Sequence, residues 1–353
     1  MTYPTRRGLG LLAALIALAL PASASAFTPQ QIAGFQEILQ LDQQQTGYPG
    51  EILGVWQQGN GGFIGTAGVS SLQSSSPIST RDHFRIGSVT KTFTATVILE
   101  LAQRGELRLS DHIDRPPQIL PDPHRQWNVR RLVIQSLRRQ PRACPPGACW
   151  HYSNVNSLTL VLIGAKAAGE PVKRLLTAGV FDRLGLHDTR LASSKPVPAP
   201  VGHGYFYNSA NFPLDTSGWN FSWSWTAGGI TSTLRDMKRY CPAMATGHGL
   251  IGARMERKRL NFVDISQQTE TPGAGYGLGV FELPTAAGTF IGHDGAVPGY
   301  DTLCVYSPQS RTTIVAFGTT SVELDPISPG RIPVQMLFTV APAFAQVVAA
   351  GTY

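Results

Sequence analysis

The sequence predicts a mixed α/β fold of the α+β type: one antiparallel sheet built from both chain ends and packed by helices, with a mainly helical lobe inserted between. Three observations predict it. Near the N-terminus two strand-like runs, "EILGVWQQ" and "GFIGTAGVS", flank the turn "GNGG", which is a hairpin signal. From Tyr276 onward four more runs follow, "YGLGVFEL", "TFIGHDG", "YDTLCVYSP" and "TTIVAFGTT", joined by short turns. Between about 106 and 270, helical runs alternate with Pro- and Gly-rich loops such as "LDTSGWNFSWSWTAGG". A sheet that unites the termini is the simplest assembly of these parts. The cleft between the lobes is then the default place for a site.

Residues 1–26 read as an export signal. Arg6 and Arg7 supply the positive start, "GLGLLAALIALAL" the apolar run, and "ASASA" ending at Ala26 a small-residue cleavage site. Thr5-Arg6-Arg7 is a loose match to a twin-arginine route, and the ordinary secretory route is favoured. A periplasmic or extracellular location follows. The expected mature domain is 27–353, with a sheet lobe at about 27–105 and 271–353 and a helical lobe at about 106–270.

Within it, Thr28-Pro29 opens a helix with a cap and a proline at its first position. Ile32, Phe35 and Leu39 mark its apolar face. The helix after Phe84 runs to about Arg104 and stops at Gly105. Further helices are expected at "SLTLVLIGAKAAG" and "TSTLRDMKRY". A final one lies in "MLFTVAPAFAQVVAA", which Pro342 breaks and which is too short for a membrane span. No membrane span is expected in the mature chain.

Composition narrows the partners. Twenty-nine basic against 22 acidic residues give +7, and +5 without the signal. That excess is mild, and "RMERKR" (Arg254 to Arg259) reads as a solvated helix face, so nucleic acid is not an expected partner. The four cysteines allow three pairings. Cys144 and Cys149 flank "PPGA" and are placed to close a small loop, which leaves Cys241 and Cys304 for a second bridge. A zinc site is the alternative, but the eight histidines show no ligand-like clustering near these cysteines, so neither metal nor cofactor is expected.

Three motifs carry the chemistry. In "FRIGSVTKTFTA", Ser88 and Lys91 stand one helical turn apart and share a face. Only Lys91, of six lysines, has a serine three residues before it. Tyr152-Ser153-Asn154 lies in "CWHYSNVN", a polar loop before an apolar helix. His293-Asp294-Gly295 ends one of the C-terminal strand patterns. A nucleophilic serine needs a base and an oxyanion hole. At a helix N-terminus, Ser88 has its own N–H free. Lys91, partly desolvated, is placed to be a neutral base or to lower the Tyr152 pKa, and Tyr152 to relay the proton. Each motif alone is weak; the three in this order form a joint signal.

On these motifs, and on "PPGACWHYSNVNSLTLVLIGAKAAGEPV", "FDRLGLHDTR", "AGGITSTLRDM", "YGLGV" and "GHDGAVPGY", the chain resembles the penicillin-recognising serine hydrolases from about Pro49 to Thr320. That family comprises class C β-lactamases, D-alanyl-D-alanine carboxypeptidases of the same fold, D-aminopeptidases and related esterases. The resemblance implies a β-lactamase/transpeptidase-like fold. It makes Ser88 the acylated nucleophile, Lys91 its partner, Tyr152 the general base and acid, and Asn154 a ligand of Lys91 and of the substrate amide. His293 stands where many relatives carry lysine. The oxyanion hole uses the N–H groups of Ser88 and Ala296, with Asp294, Gly295 and Trp225 at the substrate.

Two departures matter. Many relatives place a hydroxyl at position 294 to bind a substrate carboxylate; Asp294 repels one if it faces the cleft, and has no such effect if it turns to solvent or to an arginine. Secondly, "VIQSLRRQPRAC" replaces the "HTSGL"-like segment that relatives carry before the tyrosine loop. One cleft wall is then abbreviated, or the site is impaired. Ser209-Ala210-Asn211 also fits an SxN pattern, but in a loop. Trp219, Trp223 and Trp225 either line the cleft or pack, and His203 and His248 are most simply structural. The expected activity is an exported serine acyl hydrolase, D-stereospecific peptidase or carboxypeptidase-like ahead of carboxylesterase and β-lactamase. A non-catalytic penicillin-binding protein is the rival. Small-molecule or peptide substrates, peptidoglycan-derived peptides among them, and a monomer are expected.

Overall fold

The computed structural model describes residues 27–111, 150–192, 196–207, 212–269, 271–285 and 287–320. The export signal, Cys144 and Cys149, the segment that departs from the family, Ser209-Ala210-Asn211 and the final helix lie outside the described residues.

Helix α1 (Pro29–Thr46) starts as its sequence dictates: Thr28 Oγ1 accepts from the Gln31 N–H, and the Gln31 side chain accepts from the Thr28 N–H. Its buried stripe is Phe35, Ile38 and Leu39. Ile32 departs from expectation and is exposed, because Phe27 packs edge-on against Phe35, ring centroids 5.2 Å apart, and fills that side of the helix.

The hairpin β1 (Gly50–Gln57) and β2 (Gly61–Gly68) leads to β3 (Phe84–Arg85), a 3₁₀ turn at Gly87–Val89, and α2 (Thr90–Arg104), capped by Gly105. Helix α3 (Asn154–Ala168) matches the apolar run. The middle then supplies β4 (Arg190–Leu191), β5 (Tyr205–Tyr207), β6 (Pro213–Asp215), the one-turn helix α4 (Trp225–Gly228), β7 (Ile230–Ser232), α5 (Leu234–Thr246), α6 (Ala253–Arg259) and β8 (Val263–Asp264). Strands β9 (Gly275–Tyr276), β10 (Phe281–Thr285), β11 (Gly288–Val297), β12 (Tyr300–Ser307) and β13 (Thr312–Gly318) follow.

The main sheet is eight-stranded and antiparallel, in the order β2-β1-β13-β12-β11-β10-β9-β8. The N-terminal hairpin lies against the last strand, as predicted, with Leu53 opposite Ala316. The sheet is fed earlier than Tyr276, since β8 pairs with β9 at its edge. "YGLGVFEL" is two strands, because the Gly277 N–H turns back to the Val280 carbonyl.

Both faces of the sheet are covered. Leu53, Val55, Leu303, Val305, Ile314 and Ala316 pack with α1, while the alternate residues Ile52, Cys304, Val315 and Phe317 join the core that contains α2 and α5. Strands buried on both faces read as continuous apolar runs, which is the pattern of "TTIVAFG". Cys241 of α5 and Cys304 of β12 form a disulfide, as expected, tying helix to sheet inside that core. Among the described residues no helix is long and apolar enough to cross a membrane.

Candidate active site

The site begins where a glycine must sit. Gly87 has φ of +47°, and a Cβ there would stand 2.7 Å from the Ala296 N–H nitrogen. Reciprocally, a Cβ on Gly295 would stand 2.7 Å from the Ser88 nitrogen. Neither contact is tolerable, so glycine at both positions is what lets the Ser88 turn lie against β11. Strand β10 pairs with β11 only as far as Gly292, which leaves the His293–Val297 side open to that turn. Counting from the turn-closing pair Val297–Tyr300, antiparallel alternation points the Ala296 N–H away from β12 and toward Ser88. The backbone of Ser88 thus lies close to that of Ala296.

From the 3₁₀ turn the chain enters α2, and one turn later Lys91 brings Nζ to 2.7 Å from Ser88 Oγ. Lys91 Nζ also donates to the Ala227 carbonyl at 2.8 Å. Lys91 is buried, and desolvation lowers its pKa to about 7, opposed in part by the Asp294 charge. The helix that carries it is rich in threonine, a poor helix former. Its stability comes from bonds to its surroundings. The Thr90 hydroxyl accepts from the Ile230 N–H, Thr92 pairs with Tyr240, Thr94 donates to the Thr226 carbonyl, and Thr96 accepts from Arg259. Lys91 therefore sits on a helix fixed on several sides.

Tyr152 lies in the extended segment before α3, and the Lys91 ammonium position is 4.9 Å from its ring centroid. Its ring neighbours are Trp150 at 6.2 Å, Tyr276 at 6.2 Å edge-on and His293 at 6.1 Å. His293 is buried, and both ring nitrogens are engaged. Nδ1 faces the Asp294 carbonyl at 2.6 Å and Asp294 Oδ1 at 3.1 Å, so it carries the hydrogen. Nε2, at 2.9 Å, accepts from the Tyr276 hydroxyl. The His293 imidazole thus holds Tyr276 beside Tyr152. The Asp294 carboxylate lies 3.1 Å from His293 Nδ1 and has no arginine partner among the described residues. Its charge favours the ammonium form of Lys91 and, after burial, is what raises the Tyr276 pKa.

Asn154 is the first residue of α3 and is exposed, and the Lys91 amine donates to Ser88 and to the Ala227 carbonyl. Trp225 begins the turn that presents this carbonyl, with φ of +31°, a conformation a bulky residue adopts only when packing imposes it. Its ring packs with Val155, Leu158 and Ala227, while Trp219 and Trp223 are exposed. Sequence reasoning missed two groups. Tyr276 was visible as the aromatic residue opening "YGLGV"; the Ala227 carbonyl, a backbone atom, leaves no signal in residue type.

A putative penicillin-binding protein, PbpX of Bacillus subtilis (strain 168), is 24% identical over 268 residues, covering 66% of this chain and 61% of that protein. A β-lactamase of Escherichia coli (strain K12) is 35% identical over 254 residues, covering 64% of this chain and 65% of that protein. The chain thus spans less than two thirds of either relative. Among solved structures, the D-amino acid amidase of Ochrobactrum anthropi SV3, in complex with L-phenylalanine amide, superimposes with a TM-score of 0.76 at 20% identity, over 92% of this chain and 99% of that one. The family model described as Beta-lactamase matches residues 35–328, most of the chain. On that match the chain belongs to the Beta-lactamase family.

Proposed function

We propose that the chain is an exported, D-stereospecific amide or peptide hydrolase that works through an acyl-enzyme on Ser88 and prefers substrates with a free amine near the scissile bond. The observation that carries the reading is Lys91, buried and near half-neutral at pH 7, with Nζ 2.7 Å from Ser88 Oγ. Its amine takes the hydroxyl proton as Oγ attacks the substrate carbonyl. The tetrahedral oxyanion develops between the Ser88 and Ala296 N–H groups, where two preorganised donors stabilise it. Tyr152, beside Lys91, hands a proton to the leaving nitrogen as the C–N bond breaks. Water then attacks the ester on Ser88, and the same groups run in reverse.

Asp294 supports the substrate preference. Its negative charge bears on the cleft, where it repels a substrate carboxylate and attracts an ammonium. Asp294 thus weighs against a carboxypeptidase and for an amino-acid amide or aminopeptidase substrate. Esters lacking a carboxylate suit the same site.

The test is covalent labelling by a fluorophosphonate, followed by turnover of D- and L-amino-acid anilides, a D-Ala-D-Ala peptide, p-nitrophenyl esters and nitrocefin. Labelling of the native chain and its loss in Ser88→Ala are expected, with the D-anilides turned over fastest among the amides. Labelling that survives the substitution overturns the nucleophile. Absent labelling of the native chain supports a non-catalytic penicillin-binding role instead.

A further inference from the structure

Beside the aromatic cluster that holds Tyr152 lies a groove of about 840 Å³ that the reaction just described leaves unused. Trp150 and Tyr276 form one wall, and Leu278 lies at its lip. Arg254, Arg257 and Lys258 of α6 form the other. Tyr276 belongs to both places: its hydroxyl is bonded to His293, and its ring contacts Tyr152 and Trp150. The groove therefore opens next to the proton-transfer residue.

The three cations are not there to hold α6 in place. Arg259 does that from the inner face: it is fully buried, donates to the Met244 carbonyl and to Thr96 on α2, and has Glu256 as counter-ion at 3.7 Å. The backbone adds to this, since the Leu278 N–H donates to the Arg259 carbonyl and fixes the groove's lip to the end of α6. Arg254, Arg257 and Lys258 project from the other face, are exposed, and have no ion-pair partner among the described residues. Three positive charges with no acidic partner among the described residues thus line the same groove as the aromatic rings. Such a groove suits an anion on an apolar stem, because the stem is removed from water while the charge meets cations at the rim.

We propose that this groove is a second substrate subsite, one that receives a carboxylate carried by the substrate at a distance from the scissile bond. The proposal rests on Ser88 being the nucleophile. It complements Asp294, which admits an amine at the reacting centre, so that a zwitterionic substrate is read at both ends by opposite charges.

The experiment uses the full chain and two matched pairs of activated esters. In one pair the acyl chain ends in a carboxylate or in its methyl ester; in the other the leaving phenol bears a para carboxylate or its methyl ester. In one of the pairs the carboxylate member should be preferred by about three- to ten-fold in kcat/KM, the scale of a few exposed ion pairs. The triple variant Arg254→Gln, Arg257→Gln, Lys258→Gln should lose that preference while keeping its rate on the neutral ester. Raising salt to roughly 0.5 M should erase it in the native chain, which covers a variant that fails to fold. A carboxylate preference absent from both pairs, or untouched by the substitutions and by salt, overturns the proposal and leaves Arg257 and Lys258 as partners of the helix C-terminus alone. If fluorophosphonate labelling of Ser88 fails as well, the nucleophile itself is wrong and the subsite falls with it.

Discussion

The protonation of Lys91 should be readable in the rate. With the pKa lowered from 10.5 to about 7, roughly half the Lys91 amines are neutral at pH 7, against about one in three thousand for an ordinary lysine. For a neutral ester, kcat/KM should therefore rise about tenfold per pH unit below 7 and level off above it. Asp294 sets where that limb lies, because its charge favours the ammonium form. Asp294→Asn removes that support, so the Lys91 pKa falls further and the limb moves to lower pH. The same burial bears on stability. Between pH 7 and 10.5 the unfolded chain binds a proton at this lysine that the folded chain does not, so stability rises with pH across that window. Below it, holding the ammonium in the core costs about 5 kcal/mol, the equivalent of the drop from 10.5 to about 7. Lys91→Met should then abolish turnover yet be more stable than the native chain at pH 6, by about 2–4 kcal/mol once the lost hydrogen bonds are counted. The assays are pH–rate profiles with one neutral ester and urea unfolding at pH 6 and 9. A flat profile from pH 5.5 to 8.5, or a limb that moves upward in Asp294→Asn, refutes the role given to Lys91.

Other outcomes follow from named contacts. Tyr152→Phe should lose about 10²–10⁴ in kcat with near-native unfolding, as removal of a positioned proton-transfer group does; a loss within a few-fold would make this a packing tyrosine. Gly295→Ala places a methyl against the Ser88 turn, so kcat/KM should fall by about 100-fold or more as the oxyanion donors part. Its unfolding free energy should fall by about 1–3 kcal/mol, and a variant of native rate would show that the turn and β11 need not touch. Removing the Cys241–Cys304 bridge, which spans 63 residues, with the double substitution to alanine should cost about 2–4 kcal/mol in urea unfolding. An unchanged midpoint would deny it a structural role.

Much of this molecule is legible in its residues, and the exceptions have physical causes. The Thr28-Pro29 cap, the Gly105 stop and the hairpin around "GNGG" are set by local chemistry, and they stand where they were expected. Strands β3, β4 and β7 escaped notice because two or three residues carry no period, and they pair only through the tertiary fold. Ile32 obeyed the helical period and is exposed, since the period tells which residues share a face but not that Phe27 would cover part of it. At the site, the spacing of Ser88 and Lys91 is local, one turn of chain, and could be read directly. The partner of Lys91 could not, because a carbonyl at Ala227 looks like any other carbonyl until Trp225 is seen to force the turn.

The sheet's strand order has a consequence for how the protein is made. Ser88 and Lys91 are synthesised early and come together across the 3₁₀ turn that leads into α2, but the strand that faces them, β11, follows some 200 residues later. The hairpin β1–β2 in turn waits for β13 before its inner edge is paired. Pairings of such sequence separation are slow to form, because the intervening chain must close a long loop first. During synthesis, an emerging N-terminal portion would hold a nucleophile and its base with no oxyanion strand beside them, and an open strand edge besides. Acyl transfer should therefore switch on only once the whole sheet has closed, which makes the onset of covalent labelling a clock for the final step of folding.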